Sequence, residues 1–202
     1  MSWTLKQTAA PAIEPIVLAD AKTHLRVDTT ADDALITALI VAAREVAEAY
    51  QRRALITQQF SLYIDQFPGV DSIWIPRPPL QAVASVKYTD NNGVTYVWDP
   101  SNYNVDTATQ PGRVRLGWGK TWPVTTLQTV NAVEIDFTAG YGAAAANVPQ
   151  STIQAMLLLI GQWYENRSNV YMARTKIDAL PLAVGPLLSM QRVFPFEPGD
   201  DD

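Results

Sequence analysis

Residue types able to do chemistry are few in this chain, and their spacing seldom serves it. The one histidine, His24, stands four residues after Asp20. On a helix that spacing shares a face and would suit a base oriented by a carboxylate. No nucleophile or second ligand accompanies the pair, so a surface hydrogen bond is its expected role, with a hydrolase as the rival. Asp32 and Asp33 are adjacent, and adjacent side chains on a helix diverge; their expected role is negative charge at a helix start. Glu45 and Glu48 read as a solvated face.

Two short runs imitate known ligand loops. Gly119-Lys120-Thr121 is similar to the end of a phosphate-binding loop, but five positions before Gly119 stands Val114. Without a glycine there the backbone cannot curl its N–H groups round a phosphate. Thr138-Ala139-Gly140-Tyr141-Gly142 is similar to a potassium filter, yet the longest apolar run, 155–160, is too short to cross a bilayer. It reads as the exit from a strand. Asn166-Arg167-Ser168 is a glycosylation sequon that has meaning only on a secretory route. With no cysteine, disulfides, thiolate zinc sites and cysteine nucleophiles are excluded. The expectation is no catalytic residue, no cofactor and no metal.

The aromatic residues leave two readings open. Trp74, Trp98, Trp118 and Trp122 could form a stacking platform for sugars or bases. Strand and hairpin packing explains them as well, since strands favour aromatics.

These residues must be held by elements that the periodicity outlines. Leu18 to Arg26 reads as a short helix with Asp20 in its first turn. Thr30 reads as the N-cap of a longer one. In it Leu35, Ile36, Leu39, Ile40, Ala43, Val46, Ala47 and Tyr50 recur at three- and four-residue steps, with Arg44, Glu45, Glu48 and Arg52 on the other side. After Arg53 the period falls to two. Phe60, Leu62 and Ile64 alternate with polar neighbours, as do Ala84, Val86 and Tyr88, then Val94, Tyr96 and Trp98, then Val114 and Leu116, then Val133, Ile135 and Phe137. Asn91-Asn92-Gly93 is a hairpin turn, and Pro76, Pro78 and Pro79 mark a rim. Helix resumes at Pro149. Ile153, Met156, Leu157, Ile160 and Tyr164 make one stripe, but Leu158, Leu159 and Trp163 add apolar bulk elsewhere, so this helix needs partners on more than one face. A loop over 168–178 and a short helix within 182–192 complete the pattern.

The expected fold class is therefore α+β: helices at both ends of the chain and an antiparallel β module between them. The divisions are 1–54 for the N-terminal helical part, 55–140 for the β module, and 141–202 for the C-terminal helical part and tail, the helical parts packing as one domain. At 48% hydrophobic and 17% charged residues, the chain has the composition of a globular protein with a real core. Met1 to Ala10 lacks the basic and apolar regions of a secretory signal, and a soluble protein made in a cytoplasm is expected. A net charge of -5 argues against a broad grip on nucleic acid phosphates.

Ordered pieces of the chain carry a family likeness. Glu14-Pro15, Leu18-Ala19-Asp20-Ala21-Lys22, His24-Leu25-Arg26-Val27-Asp28 and Asp32-Asp33-Ala34-Leu35-Ile36 come first. Arg53-Ala54-Leu55-Ile56-Thr57-Gln58 and Pro76-Arg77-Pro78-Pro79-Leu80 follow. Pro111-Gly112-Arg113-Val114, Phe137 to Gly142, Ala155 to Leu159 and Trp163 to Arg167 complete the succession. In this order they resemble phage head–tail connector (adaptor) proteins of the gp6-like group.

The resemblance implies a structural protein of a tailed phage or a gene transfer agent, found in the particle neck and assembled in the bacterial cytoplasm. It implies a homo-oligomeric ring of about a dozen copies that extends the DNA channel below the portal protein and offers a docking surface to a stopper or tail component. DNA would pass without specific binding, and no catalysis or membrane contact is expected. Partner contacts are expected at Trp163, Arg192, Phe194 and Phe196, the last three toward the portal. The alternative is a carbohydrate- or surface-binding β module of a tail or baseplate component, using the tryptophans.

Overall fold

A computed structural model describes residues 3–166 and 183–193. The elements run β1 (Trp3–Ala9), α1 (Leu18–Leu25), α2 (Asp33–Gln51), β2 (Gln58–Ile64), β3 (Ser72–Ile75), β4 (Leu80–Thr89), β5 (Thr95–Val97), β6 (Tyr103–Asp106), β7 (Gly112–Leu116), β8 (Val133–Ala139), α3 (Gln150–Glu165) and α4 (Val184–Ser189). The fold is α+β. Its contacts separate two units: among the described residues, 3–12, 57–141 and 193 form one, and 13–56, 142–166 and 183–192 form the other.

The first unit holds two antiparallel sheets, one ordered β1-β2-β8-β4-β5 and one ordered β3-β7-β6. Central strand β8 shows the cause most plainly. Val133, Ile135, Phe137 and Ala139 are buried while Glu134, Asp136 and Thr138 between them are half-buried. Across the ladder they meet Ile64, Leu62 and Phe60 of β2, and the Phe60 and Phe137 rings stack with centroids 5.5 Å apart. Each large apolar side chain buried this way contributes roughly 1.5–3 kcal/mol.

Two expectations about this unit are corrected. The N-terminal helical part was expected to begin at residue 1, but residues 3–9 are a strand. Trp3, Leu5 and Gln7 pair with Ile64, Leu62 and Phe60 of β2. It is an edge strand with most of its residues exposed, so its signature is weak in the sequence and its order comes from the ladder it completes. On β4, Ala84 was expected inward beside Val86 and Tyr88. A bulge between Val83 and Ser85 gives the inward place opposite Phe137 to Val83, and Ala84 is exposed. One extra residue in a strand reverses the side-chain alternation beyond it.

The β4–β5 turn forms as its residues require. Gly93 has φ +80°, and the Asp90 carboxylate accepts from the backbone N–H of Asn92 and Val94, both at 2.9 Å. The Val94 bond foremost, then Asn92, holds the Asp90 carboxyl below the usual range. Gly112 opens β7 where no side chain fits: a Cβ there would stand 2.6 Å from Leu80 Cβ.

In the second unit α2 is buried along Ile36, Ile40, Ala43, Arg44, Ala47, Glu48 and Gln51. Arg44 and Glu48, expected on the solvated side, are only 7% and 8% exposed. Arg44 donates to Glu14 at 2.8 Å and to Glu48 at 3.0 Å, and Glu48 accepts from the Leu55 backbone N–H at 2.9 Å. Charges four residues apart on a helix can pair, and satisfied pairs tolerate burial that lone charges do not. Glu45, its side chain 67% exposed, and Arg52, also exposed, fit the solvated reading.

Helix starts and phases also shift slightly. The N-cap of α2 is Asp32 rather than Thr30, and its carboxylate accepts from Tyr164 Oη at 2.6 Å instead of capping the helix. Asp33 does lie in the first turn, bound to Lys22 at 2.6 Å. On α3 the buried stripe is Thr152, Ala155, Met156, Leu159 and Ile160, while Ile153, Leu157 and Leu158 are half-buried. α4 forms around Gly185-Pro186 and buries Val184 and Leu188. The expected loop over 168–178 lies outside the described residues.

Candidate interaction site

No cluster of three or more potential metal ligands occurs among the described residues, and no described helix is long and apolar enough to cross a membrane. His24 and Asp20 are both exposed and make no hydrogen bond to each other. His24 lies instead against α3, where a Cβ on Gly161 would stand 3.5 Å from its Nε2. Gly140, with φ +130°, follows the last residue of β8 and donates its N–H to Pro79 O at 2.9 Å, a strand exit as its sequence indicates.

The four tryptophans do not share a face. Trp74 on β3 stacks beneath Arg113, the guanidinium carbon 5.0 Å from the ring centre. Trp98 is 7% exposed and sits in a cluster with Phe67, Tyr103 and Trp122, centroids 5.1–6.0 Å apart. Packing explains these three, and no stacking platform forms.

Trp118 alone is displayed, and it is 102% exposed. The turn that carries it is held at both ends. On one side Gly117 donates its N–H to Asn102 O at 2.8 Å, and Lys120 closes the turn onto Gly117 O at 3.0 Å. Gly119 occupies φ +69°, a conformation costly for any residue with a Cβ. On the other side Trp122 stacks on Phe67 at 5.1 Å and donates its indole N–H to Val70 O at 2.8 Å. One tryptophan anchors the loop and another is presented by it. Val124, 96% exposed, extends the displayed apolar surface.

A second surface lies on the outward side of the five-stranded sheet. Here a shallow depression of about 450 Å3 is lined by Thr8, Tyr63, Ala84, Lys87, Glu134 and Asp136, among others. Burial alone would raise the Asp136 carboxyl, but hydrogen bonds from Lys87 at 2.6 Å, from Ser61 at 2.5 Å and from Ser85 at 2.9 Å outweigh it and hold the carboxyl low. The same bond to Asp136 raises Lys87. Burial, then the charge of Glu134, raises Tyr63. Glu134 itself is more loosely engaged, 3.3 Å from Tyr63 Oη and 3.7 Å from Lys87 Nζ.

The residues expected to contact partners fall in different places. Trp163 is half-buried on the last turn of α3. Arg192 is exposed, its guanidinium 5.0 Å over the Tyr50 ring, and nearby Arg53 donates to Gln191 O. Phe194 and Phe196 lie outside the described residues. The sequence reading overlooked the displayed character of Trp118. Its one signal was a glycine on each side, Gly117 and Gly119, in a segment with no hydrophobic period.

Residues 15–103 match the family model of the phage gp6-like head-tail connector protein. Over the whole length, the fold is similar to a chain of the virion of a native gene transfer agent (GTA) particle: TM-score 0.76, 26% identity, 96% of this chain and 97% of that one covered. Residues 15–103 thus carry the gp6-like head–tail connector pattern within a chain whose whole fold is similar to that particle protein. The chain is equally similar to one from the neck of an empty GTA particle computed with C6 symmetry, TM-score 0.77, and to one from the neck of a native GTA particle computed with C12 symmetry, TM-score 0.75. Both are 26% identical with the same coverage. No curated protein sequence matches the chain. The family is one of structural connectors.

Proposed function

We propose that the connector assembles as a closed ring of about a dozen copies in the neck of a phage or gene transfer agent particle, joining the portal to the stopper or tail. The observation that carries this reading is the match over 96% of the chain to neck proteins of particles computed with C6 and C12 symmetry. Rotational closure makes every copy use two different surfaces, one for each neighbour. The helical segments from both ends of the chain build the ring wall. DNA crosses the ring without specific binding, which suits a net charge of -5, since cationic contacts to phosphate would add salt-sensitive affinity. The connector performs no catalysis and is assembled in the bacterial cytoplasm.

The C-terminal segment, with Arg192, Phe194 and Phe196, docks on a neighbouring component, the portal foremost, and Trp163 adds to the wall contacts. Cryo-electron microscopy of particles carrying the connector tests the ring: density for this fold repeated around the neck axis is expected, and its absence there overturns the reading. Removal of residues 194–202 tests the docking assignment. The truncated protein should keep its unfolding temperature while heads and tails remain unjoined; an unchanged yield of joined particles would refute the assignment.

A further inference from the structure

A ring of identical copies needs a projecting surface and a receiving one on each chain, and the β unit carries one of each. The projection is the Trp118 turn. It is held from both sides, so little conformational freedom is lost when it docks, and an exposed aromatic so presented is the residue type that dominates interface energetics. The receiver is the depression on the outward face of the five-stranded sheet. Its volume of about 450 Å3 accommodates an indole with part of a lysine stem. It is not filled by its own chain's indole, since Trp118 is fully exposed.

Charge selects the same pairing. The segment 117–124, Gly-Trp-Gly-Lys-Thr-Trp-Pro-Val, carries one positive charge and no negative one, in a chain whose net charge is -5. The depression holds two carboxylates, Glu134 and Asp136, against one ammonium, Lys87. Asp136 is saturated by three donors. Glu134, with only long contacts to Tyr63 and Lys87, retains acceptor capacity for Lys120 of an arriving loop. Ala84, pushed outward by the bulge, offers the indole a small apolar wall.

We propose that Trp118 of one copy inserts into the sheet-face depression of the next, with Lys120 against Glu134, as a head-to-tail contact of the ring. This rests on the ring reading above, and the test separates the two. Particles are prepared with the full chain carrying Ala84→Cys and Thr121→Cys, singly and together, and treated with a short bis-maleimide. The parent chain has no cysteine, so every cross-link between two copies of it, read at multiples of its own mass, comes from the introduced residues. The double variant should give a ladder of dimers, trimers and higher species, and each single variant monomer only. Monomer alone from the double variant, in necks where the ring is visible, overturns the proposal; so does a dimer from either single variant, which would mean a symmetric contact.

A second arm uses Trp118→Ala and Ala84→Trp, both at exposed positions. Each should leave the unfolding temperature unchanged and abolish the ring density. An intact ring in either variant overturns the contact. Wild-type necks without a ring would instead refute the assembly reading on which the contact rests.

Discussion

Gln51, the last residue of α2, donates its side-chain amide to Thr152 Oγ1 in the first turn of α3 at 3.0 Å, joining positions 101 residues apart. The same amide reaches Leu188 O of α4 at 3.0 Å. A single fully buried side chain thus ties three helices that the chain presents in separate segments.

Gln51→Ala removes both bonds: the buried Thr152 hydroxyl loses this donor, and Leu188 O keeps only the longer bond from the Gln191 N–H at 3.3 Å. Such a loss, with the cavity it opens, costs about 3 kcal/mol. Calorimetry should show the transition of the helical unit about 6–12 °C lower, at roughly 2–4 °C per kcal/mol. An unchanged transition would show that the bonds contribute nothing.

Glu48→Ala leaves the Leu55 N–H without its carboxylate acceptor and the buried Arg44 guanidinium with Glu14 as its remaining close partner. Breaking a buried ion pair from one side costs about 3–5 kcal/mol. Arg44→Met alone should cost less than that, because Glu48 keeps the Leu55 contact. A double-mutant cycle by denaturant unfolding should return a coupling of about 0.5–3 kcal/mol between Arg44 and Glu48; strict additivity would contradict the pairing.

The two loop tryptophans should separate cleanly. Trp122→Ala empties part of the Phe67–Trp98 cluster and is expected to cost about 3–5 kcal/mol. Trp118→Ala touches nothing within the chain and should stay within about 0.5 kcal/mol. Equal effects of the two in urea titrations would contradict the anchored and displayed roles.

Asp136 and Lys87 set a pH window. The Asp136 carboxyl is held low in the folded state, so its contribution is present above the unfolded value near 3.9 and is lost as pH falls through the lower folded one. Lys87 is raised, so its contribution is full below about 10.4 and is lost as pH rises through the higher folded value. Asp136→Asn should therefore destabilise the β unit at pH 7 and flatten the acid limb of its stability curve. Unfolding followed at pH 3, 5, 7 and 9 measures both; a wild-type acid limb in the variant would rule out this carboxylate.

Much of the fold was legible because local and tertiary preferences agree. The strict alternation on β2 and β8, the glycine turn after Asp90 and the three-and-four stripe of α2 each state a local geometry that burial then reinforces. The misread places are those where a tertiary partner overrides the local pattern. Arg44 and Glu48 look solvated until Glu14 and the Leu55 N–H are placed beside them. Strand β1 has little apolar signal of its own and exists because β2 offers a free edge. Ala84 reads as inward until the bulge inserts one residue.

The sequence by itself determined the α+β class, most of the strands and helices, the absence of thiol chemistry and the likeness to head–tail connectors. These follow from periodicity, composition and ordered short motifs, which need no long-range contact to be read. Only the tertiary structure decided which charges are buried and which tryptophan is displayed. Those outcomes depend on neighbours brought from distant positions: Val70, Phe67 and Asn102 hold the loop so that Trp122 is spent on packing and Trp118 is left facing outward. An indole's burial is set by what stands around it, and in the sequence only the glycines on either side of Trp118 hint at which of the four will be left over.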